Sequence, residues 1–268
     1  MVDLISTIKE SVNENCIQPF SVYSSIKEQS LLNVPIAKPT LIVVLAGNKT
    51  LKMEKELTCQ AGDFVFLSSN PAIHMRNIPV DSEYFALLVE FDYEDFKALS
   101  FSAKNKKSHY VGQLNPPLEK CFQQFIEYSQ WAPQDLWSLR KREILELLCH
   151  EGHTDILSML GEQTLAHTLH EMFCEQGFQE LSIETICQKL AMSESTLRRK
   201  LKLERISVQE IKDQARLGLG LHLLQTTGHA IGMIAELCGY QSQSRFTDRF
   251  KGRFGLTPSE LRKTKMVE

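Results

Sequence analysis

The sequence predicts an α+β protein in two parts. A β-rich N-terminal region with helices behind it precedes an all-helical C-terminal region that carries two helix-turn-helix units. Three observations carry this reading. Up to about Val111, short apolar runs alternate with Gly, Asn and Pro turn signals. From Pro116 onward, apolar residues recur at helical spacing instead. Between Ile183 and Arg262 one pattern occurs twice: a short amphipathic helix, a tight turn, then a Ser that can cap a second helix bearing cationic side chains.

The strands come first. Leu41–Ala46, Phe64–Leu67 and Tyr84–Phe91 are separated by Ala46-Gly47-Asn48, Ala61-Gly62-Asp63, Ser69-Asn70-Pro71 and Ile78-Pro79. Strands this short at this spacing predict a small barrel or sandwich. The apolar run Leu41–Ala46 reads as a buried strand and is far too short to span a membrane. Leu118, Cys121, Phe122, Phe125 and Ile126 then predict a helix over 116–131. Leu136, Leu139, Ile144, Leu147 and Leu148 predict another over 134–150, and a third is expected over 154–160. The domain boundary falls near Gly161–Thr164, dividing the chain into 1–162 and 163–268.

A helix over 165–174, stopped by Gly177, opens the second part. The first unit runs Ile183–Leu201 and the second Ile231–Lys251, with a connecting helix over 208–226. Gly218 and Gly220 inside that helix each cost about 1 kcal/mol against Ala. Close packing against a neighbour explains them better than a hinge. Arg253–Arg262 reads as a helix end, a Gly turn and a short Thr-capped helix with Pro in its first turn, closing the second unit.

Composition narrows the class. A chain of 268 residues, 43% hydrophobic and 24% charged, is ordinary for a soluble globular protein. Its first ten residues are acidic and polar, unlike a signal peptide, which points to the cytoplasm. The seven cysteines (16, 59, 121, 149, 174, 187 and 238) form no Cys-x-x-Cys pair, which favours reduced thiols over disulfides or zinc. The net charge of -3 hides an asymmetry: from Leu165 onward there are 15 Lys and Arg against 12 Asp and Glu, leaving 15 against 21 before it. The cations cluster on two elements, as Arg198, Arg199, Lys200, Lys202 and Arg205, and as Arg245, Arg249, Lys251 and Arg253.

Helical geometry sorts the two candidate reading helices. Leu197 and Leu201 lie four apart and face the core, which turns Ser195, Arg198, Arg199 and Lys202 outward. Arg can donate two hydrogen bonds to guanine and Ser can serve any base, while Lys200 and Arg205 flank that face and suit phosphates. A solvated basic face on an ordinary helix is the plain alternative for this unit alone. In the second unit Phe246 and Phe250 face inward, so Ser244, Thr247, Asp248 and Lys251 face outward with Arg245 to one side. Asp248 suits cytosine or a neighbouring cation, Arg245 or Lys251.

These residues resemble the AraC/XylS family of bacterial transcription regulators. The resemblance rests on Ile234-Ala235, Gly239-Tyr240, Ser242-Gln243-Ser244, Phe246, Arg249-Phe250-Lys251, Phe254-Gly255, Thr257-Pro258 and Leu261-Arg262, supported by Arg216-Leu217 and Leu223-Leu224. It covers about a hundred C-terminal residues. It implies a sequence-specific DNA-binding regulator, by default an activator working with RNA polymerase, whose two units enter successive major grooves. By position, the base-reading residues would be Ser195, Arg198 and Arg199, then Ser244, Arg245 and Thr247. Asp248 stands where many members carry Arg, and Arg245 where many carry Tyr. Ala61–Leu67, followed by Pro71 and His74, is similar to the cupin-like effector domain of the family, and the helices after Pro116 to those that dimerise there. The resemblance thus implies a homodimer and an effector, which in some branches is a fatty acid or a protein. Lys27, Lys38 and Arg76 are the candidate partners of a carboxylate effector.

Other classes fit less well. A cupin metalloenzyme needs several converging His, and only His74 stands in the relevant stretch, with His109 on another segment, so no metal or other cofactor is expected. No nucleophile elbow, phosphate loop or paired-carboxylate motif points to an enzyme. A thiol-based redox sensor using Cys59, Cys149 or Cys174, or an adaptor acting mainly by protein contact, are the alternatives. The thiols lack basic neighbours, which favours buried core cysteines. Cys187 and Cys238 read as packing residues of the two inner helices.

Overall fold

The computed structural model describes residues 2–265 except 13–16, 54, 69, 98, 100–108, 160–163, 177 and 179–180. Among them, nine strands form two antiparallel sheets. One sheet has the order β1 (Ser21–Ser25), β8 (Tyr84–Glu90), β3 (Thr40–Ala46), β6 (Asp63–Leu67), β9 (His109–Gln113). The other runs β2 (Gln29–Ile36), β7 (Asn70–Ile78), β4 (Asn48–Lys52), β5 (Glu56–Gln60).

Covering on both faces explains the unbroken apolar run of β3. Leu41, Val43 and Leu45 point to one cluster, packed with α1 (Val2–Ser11), α3 (Pro116–Ser129) and α4 (Trp137–His150). Ile42 and Val44 point the opposite way, into the space between the sheets. Phe64 and Phe66 of β6 divide from Val65 and Leu67 in the same manner, as successive strand residues must. Gly47 and Gly62 sit at left-handed φ (73° and 95°) in the turns that return β3 to β4 and β5 to β6.

Two helices were not anticipated. Leu4 and Ile8 of α1 lie one turn apart and are buried, and the helix packs on α3. Helix α2 (Tyr93–Lys97) is a single turn that buries Phe96. Other boundaries move: α3 stops at Ser129, leaving Trp131 72% exposed, residues 134–136 form a 3-10 turn ahead of α4, and 154–159 are 3-10 instead of α. The expected boundary residues 161–163 and Gly177 lie outside the described residues.

The helical part follows as α5 (Leu165–Gln176), α6 (Ile183–Lys189), α7 (Glu194–Leu203), α8 (Val208–Thr226), α9 (Ile231–Leu237), α10 (Gln243–Phe254) and α11 (Pro258–Arg262). Its two halves have different cores. Leu169, Phe173, Ile186, Leu197, Leu201 and Ile211 form a cluster of their own. Leu224, Ile234, Phe246, Phe250, Phe254 and Leu261 instead join the core of the β-domain, with Leu31, Val34 and Met75. Helix α8 touches β1 and β2, and α10 touches β2. Gly218 lets α8 lie close to β2, and Gly220 lets it lie close to α10. A Cβ on Gly220 would stand 2.7 Å from the Phe246 ring and one on Gly218 3.4 Å from Pro35, so both are packing glycines.

A buried polar chain also crosses this seam. Gln225 Nε2 of α8 donates to Gln29 Oε1 (3.0 Å), as does Asn77 Nδ2 (2.9 Å), and Gln29 Nε2 donates to Thr264 Oγ1 (2.8 Å). At the far end, Lys49 Nζ donates to Asn77 Oδ1 (2.8 Å) and sits 5.7 Å from the Tyr84 ring centre. Burial pulls the Lys49 ammonium down to about 8, against a smaller opposing effect of Cys59. The unfolded chain, with lysine near 10.4, therefore binds more protons between about pH 8 and 10.4, so this group adds stability as pH rises through that window. Raised thiols act in the opposite direction in the same range, so the check is a comparison. Urea melts of wild type minus those of Lys49→Met should show a positive slope over that window, on the order of a few kcal/mol in total. Parallel pH profiles would exclude the depressed lysine.

Candidate nucleic-acid interface

The first unit is positioned by local rules. Ala191, at φ 48°, turns the chain between α6 and α7. Ser193 caps α7, its Oγ accepting from Thr196 N at 3.3 Å. Leu197 and Leu201 are buried, as their spacing requires, and Ser195, Arg198, Arg199, Lys200 and Lys202 are exposed on the other side. Arg198 is held by Glu194 one turn earlier, through Nη2 at 2.7 Å and Nε at 2.8 Å. Such an exposed pair is worth only about 0.2–1 kcal/mol, so a guanine or phosphate partner can displace it.

The second unit repeats the plan. Gly239, at φ 75°, makes the turn after α9, where a Cβ would meet Phe178 at 3.0 Å. Ser242 caps α10, accepting from Arg245 N at 3.4 Å, and Gly255 ends it in the left-handed conformation at φ 84°. Phe246 and Phe250 are fully buried. Ser244, Arg245, Asp248 and Lys251 are exposed, and Thr247 is half-buried. Arg249 of α10 is paired with Asp213 of α8.

In the sequence Arg216 is only one member of a motif. In the structure it joins the two units: its Nη2 donates to the Phe178 carbonyl (3.3 Å), and its guanidinium lies 5.8 Å from the Phe178 ring and 5.5 Å from the Tyr240 ring. Helix α8 itself begins with a capping box, Ser207 and Glu210 satisfying each other's backbone N–H groups. The two reading helices thus hang from one well-capped rod.

A helix-turn-helix domain family model matches residues 186–264. The urease operon transcriptional activator of Escherichia coli is 26% identical over 259 residues, covering 88% of this chain and 87% of that one. The transcriptional regulator SirC of Salmonella typhimurium is 30% identical over 113 residues, 42% of this chain and 38% of that protein. This chain resembles the AraC/XylS family, and the match is concentrated in the helix-turn-helix domain at residues 186–264. The chain is a DNA-binding transcription regulator. Structures of ToxT from Vibrio cholerae superpose with a TM-score of 0.66 at 13% identity, over 92% of this chain and 98% of that one. A second ToxT structure, with unsaturated fatty acid bound, gives 0.64 at 14% over 93% and 96%. At such identity the likeness carries the fold: a cupin-like β-domain with helices, then the helical DNA-binding domain.

The candidate effector residues are dispersed. Arg76 pairs with Glu28 (2.8 Å), Lys38 pairs with Asp92 (2.6 Å), and Lys27 is exposed on the turn between β1 and β2. None of the three lines the large cleft of about 1170 Å³ that opens between the β-domain and the end of α8. Its walls include Phe20, Val22 and Leu88 from the β-domain and Leu223 from α8, with Lys141 and Lys265 among its cations. No local pattern could have announced it, because its lining comes from widely separated segments. His74 holds the backbone, its Nδ1 accepting from Asn33 N at 3.2 Å.

The thiols offer little to redox sensing. Burial pushes Cys59, Cys121 and Cys149 up to about 11 and Cys238 to about 12, where thiolate is scarce at neutral pH. Cys174 departs from the expectation of a core thiol: it is exposed on α5, its Sγ 3.7 Å from His170 Nδ1. Cys187 is half-buried instead of fully packed, and Cys16 lies outside the described residues.

Proposed function

We propose that the chain activates transcription by placing α7 and α10 in successive major grooves. Ser195, Arg198, Arg199, Ser244, Arg245 and Thr247 read bases, while Lys202 and Lys251 take phosphates. The observation that carries this reading is the pair of Ser-capped helices on one rod, each with a buried apolar stripe and a cationic outer face. It acts by binding, in the cytoplasm, and its product is a promoter-bound complex with RNA polymerase. The test is selection of genomic fragments by the purified protein at about 0.15 M salt, where loose surface attraction is screened. A discrete enriched site supports the reading. Enrichment of nothing, with and without candidate effectors, would refute it.

We further propose that the cleft receives a fatty acid, its chain against Phe20, Val22 and Leu223 and its carboxylate toward Lys141 and Lys265. The support is a lining that combines apolar side chains with cations, and the ligand named for the ToxT structure. Oleate at a hundred times its dissociation constant should add about 2.7 kcal/mol and raise Tm by several degrees. Lys141→Met/Lys265→Met should lose most of that rise, and an unchanged rise would move the carboxylate elsewhere. Helices α3 and α4 are the proposed homodimer surface, since Trp131 and Leu139 near them are 72% and 51% exposed.

A further inference from the structure

The reading helix of the first unit ends in a conformation that its residue does not favour. Arg205, just past α7, stands at φ 59°. Its N–H donates to the Lys202 carbonyl (3.1 Å), and that of Ile206 to the Leu201 carbonyl (3.1 Å), so a left-handed turn closes the last carbonyls of the helix. Gly255 serves in the same conformation at the end of α10. Glycine is the usual choice there, because an L side chain crowds its own backbone. An arginine kept at such a place needs a reason outside the turn.

The turn borders a pocket of about 320 Å³ where α7 hands over to α8. The half-buried Ile206 and Val208 give this pocket apolar surface, and the exposed Arg198, Lys202 and Arg205 give it cations. The carboxylates nearby in sequence are already engaged. Glu204 accepts from Leu165 N and Ala166 N (2.9 Å each) at the start of α5. Glu210, which also lines the pocket, accepts from Ser207 N (2.8 Å) and Ser207 Oγ (2.7 Å), and Glu194 holds Arg198. Among the described residues, Lys202 and Arg205 have no ion-pair partner.

We propose that this pocket seats one phosphodiester of the DNA backbone, its charge on Arg205 and Lys202 and its deoxyribose against Ile206 and Val208. The proposal rests on the regulator reading and adds the point at which the first unit is clamped. Reading helices present their N-terminal residues to the bases, which leaves the far end of α7 beside the strand that borders the groove. A phosphate held there fixes the register in which Arg198 and Arg199 meet the base edges. The strained arginine is retained because glycine would ease the turn and empty the seat.

The test pairs one substitution with DNA of altered backbone. Arg205→Gly removes the cation and suits the turn, so two effects of opposite sign are expected. Tm should rise by about 2–4 °C. Affinity for the selected fragment at about 0.15 M salt should fall roughly fivefold, with a salt dependence shallower by about one ion. Scrambled DNA should weaken by the same factor, since a phosphate contact carries no sequence information. Duplexes carrying a single neutral methylphosphonate locate the seat. At one position the neutral group should weaken wild type severalfold and leave Arg205→Gly unaffected. Wild-type affinity in Arg205→Gly, no gain in Tm, or a wild-type response of the variant to every methylphosphonate would overturn the seat. Failure of wild type itself to prefer the selected fragment would instead sink the regulator reading, and the seat with it.

Discussion

Replacing Arg198 and Arg199 together with Ala is expected to weaken binding to the selected site by roughly 100-fold or more, while leaving Tm nearly unchanged. Each bidentate contact to guanine is worth about 1–3 kcal/mol, and two of them multiply. Both side chains are exposed on α7 and neither belongs to a core, so the fold has little to lose. The ion pair to Glu194 disappears, but an exposed pair within one helix contributes a few tenths of a kcal/mol. Anisotropy titrations with the selected fragment and a scrambled one separate two mechanisms. Loss of preference for the selected fragment marks base reading. Equal weakening on both, with a shallower salt dependence, marks phosphate contact and is the outcome expected of Lys202→Ala. Wild-type affinity in the double variant would remove α7 from the interface.

Phe250→Ala should destabilise the protein by about 3–5 kcal/mol, and the damage should spread. Phe250 is fully buried, with ring centres of Phe246 and Phe254 at 5.5 and 4.6 Å, inside the core that the second unit shares with β2 and β7. Hydrogen exchange in the variant should rise both in α10 and in β2. Leu197→Ala, equally buried but in the separate cluster of the first unit, should cost about 2–5 kcal/mol and loosen α5 to α7 while β2 keeps its protection. Identical exchange patterns in the two variants would mean that the cores are not independent.

Patterns that repeat within one element could be read from the residues alone. Leu197 with Leu201 and Phe246 with Phe250 orient their helices before any neighbour is known, and Ser193, Ser242 and Thr257 mark three helix starts that the structure keeps. The run Leu41–Ala46 announces a strand covered on both faces. Features needing a distant partner stayed hidden. Helix α1 has one narrow apolar stripe, meaningful only once α3 lies against it. Helix α2 has five residues, too few for any period to register. Lys27, Lys38 and Arg76 are candidate partners of a carboxylate by charge alone, and none of them lines the cleft, whose cations include Lys141 of α4 and Lys265.

The core common to the second unit and the β-domain bears on how such regulators exchange parts. A chimera cut near the boundary would transplant α8 and α10 without the surface they fit. Leu32, 3.0 Å from where a Cβ on Gly255 would stand, and Asn33, which donates to the Arg253 carbonyl (3.1 Å) from 220 residues upstream, belong to the mating surface of the DNA-binding half even though they lie in β2. Grafts that move β2 along with 163–268 should fold where simple fusions fail. Drift in either half is correspondingly constrained by the other, so the pair evolves as one part.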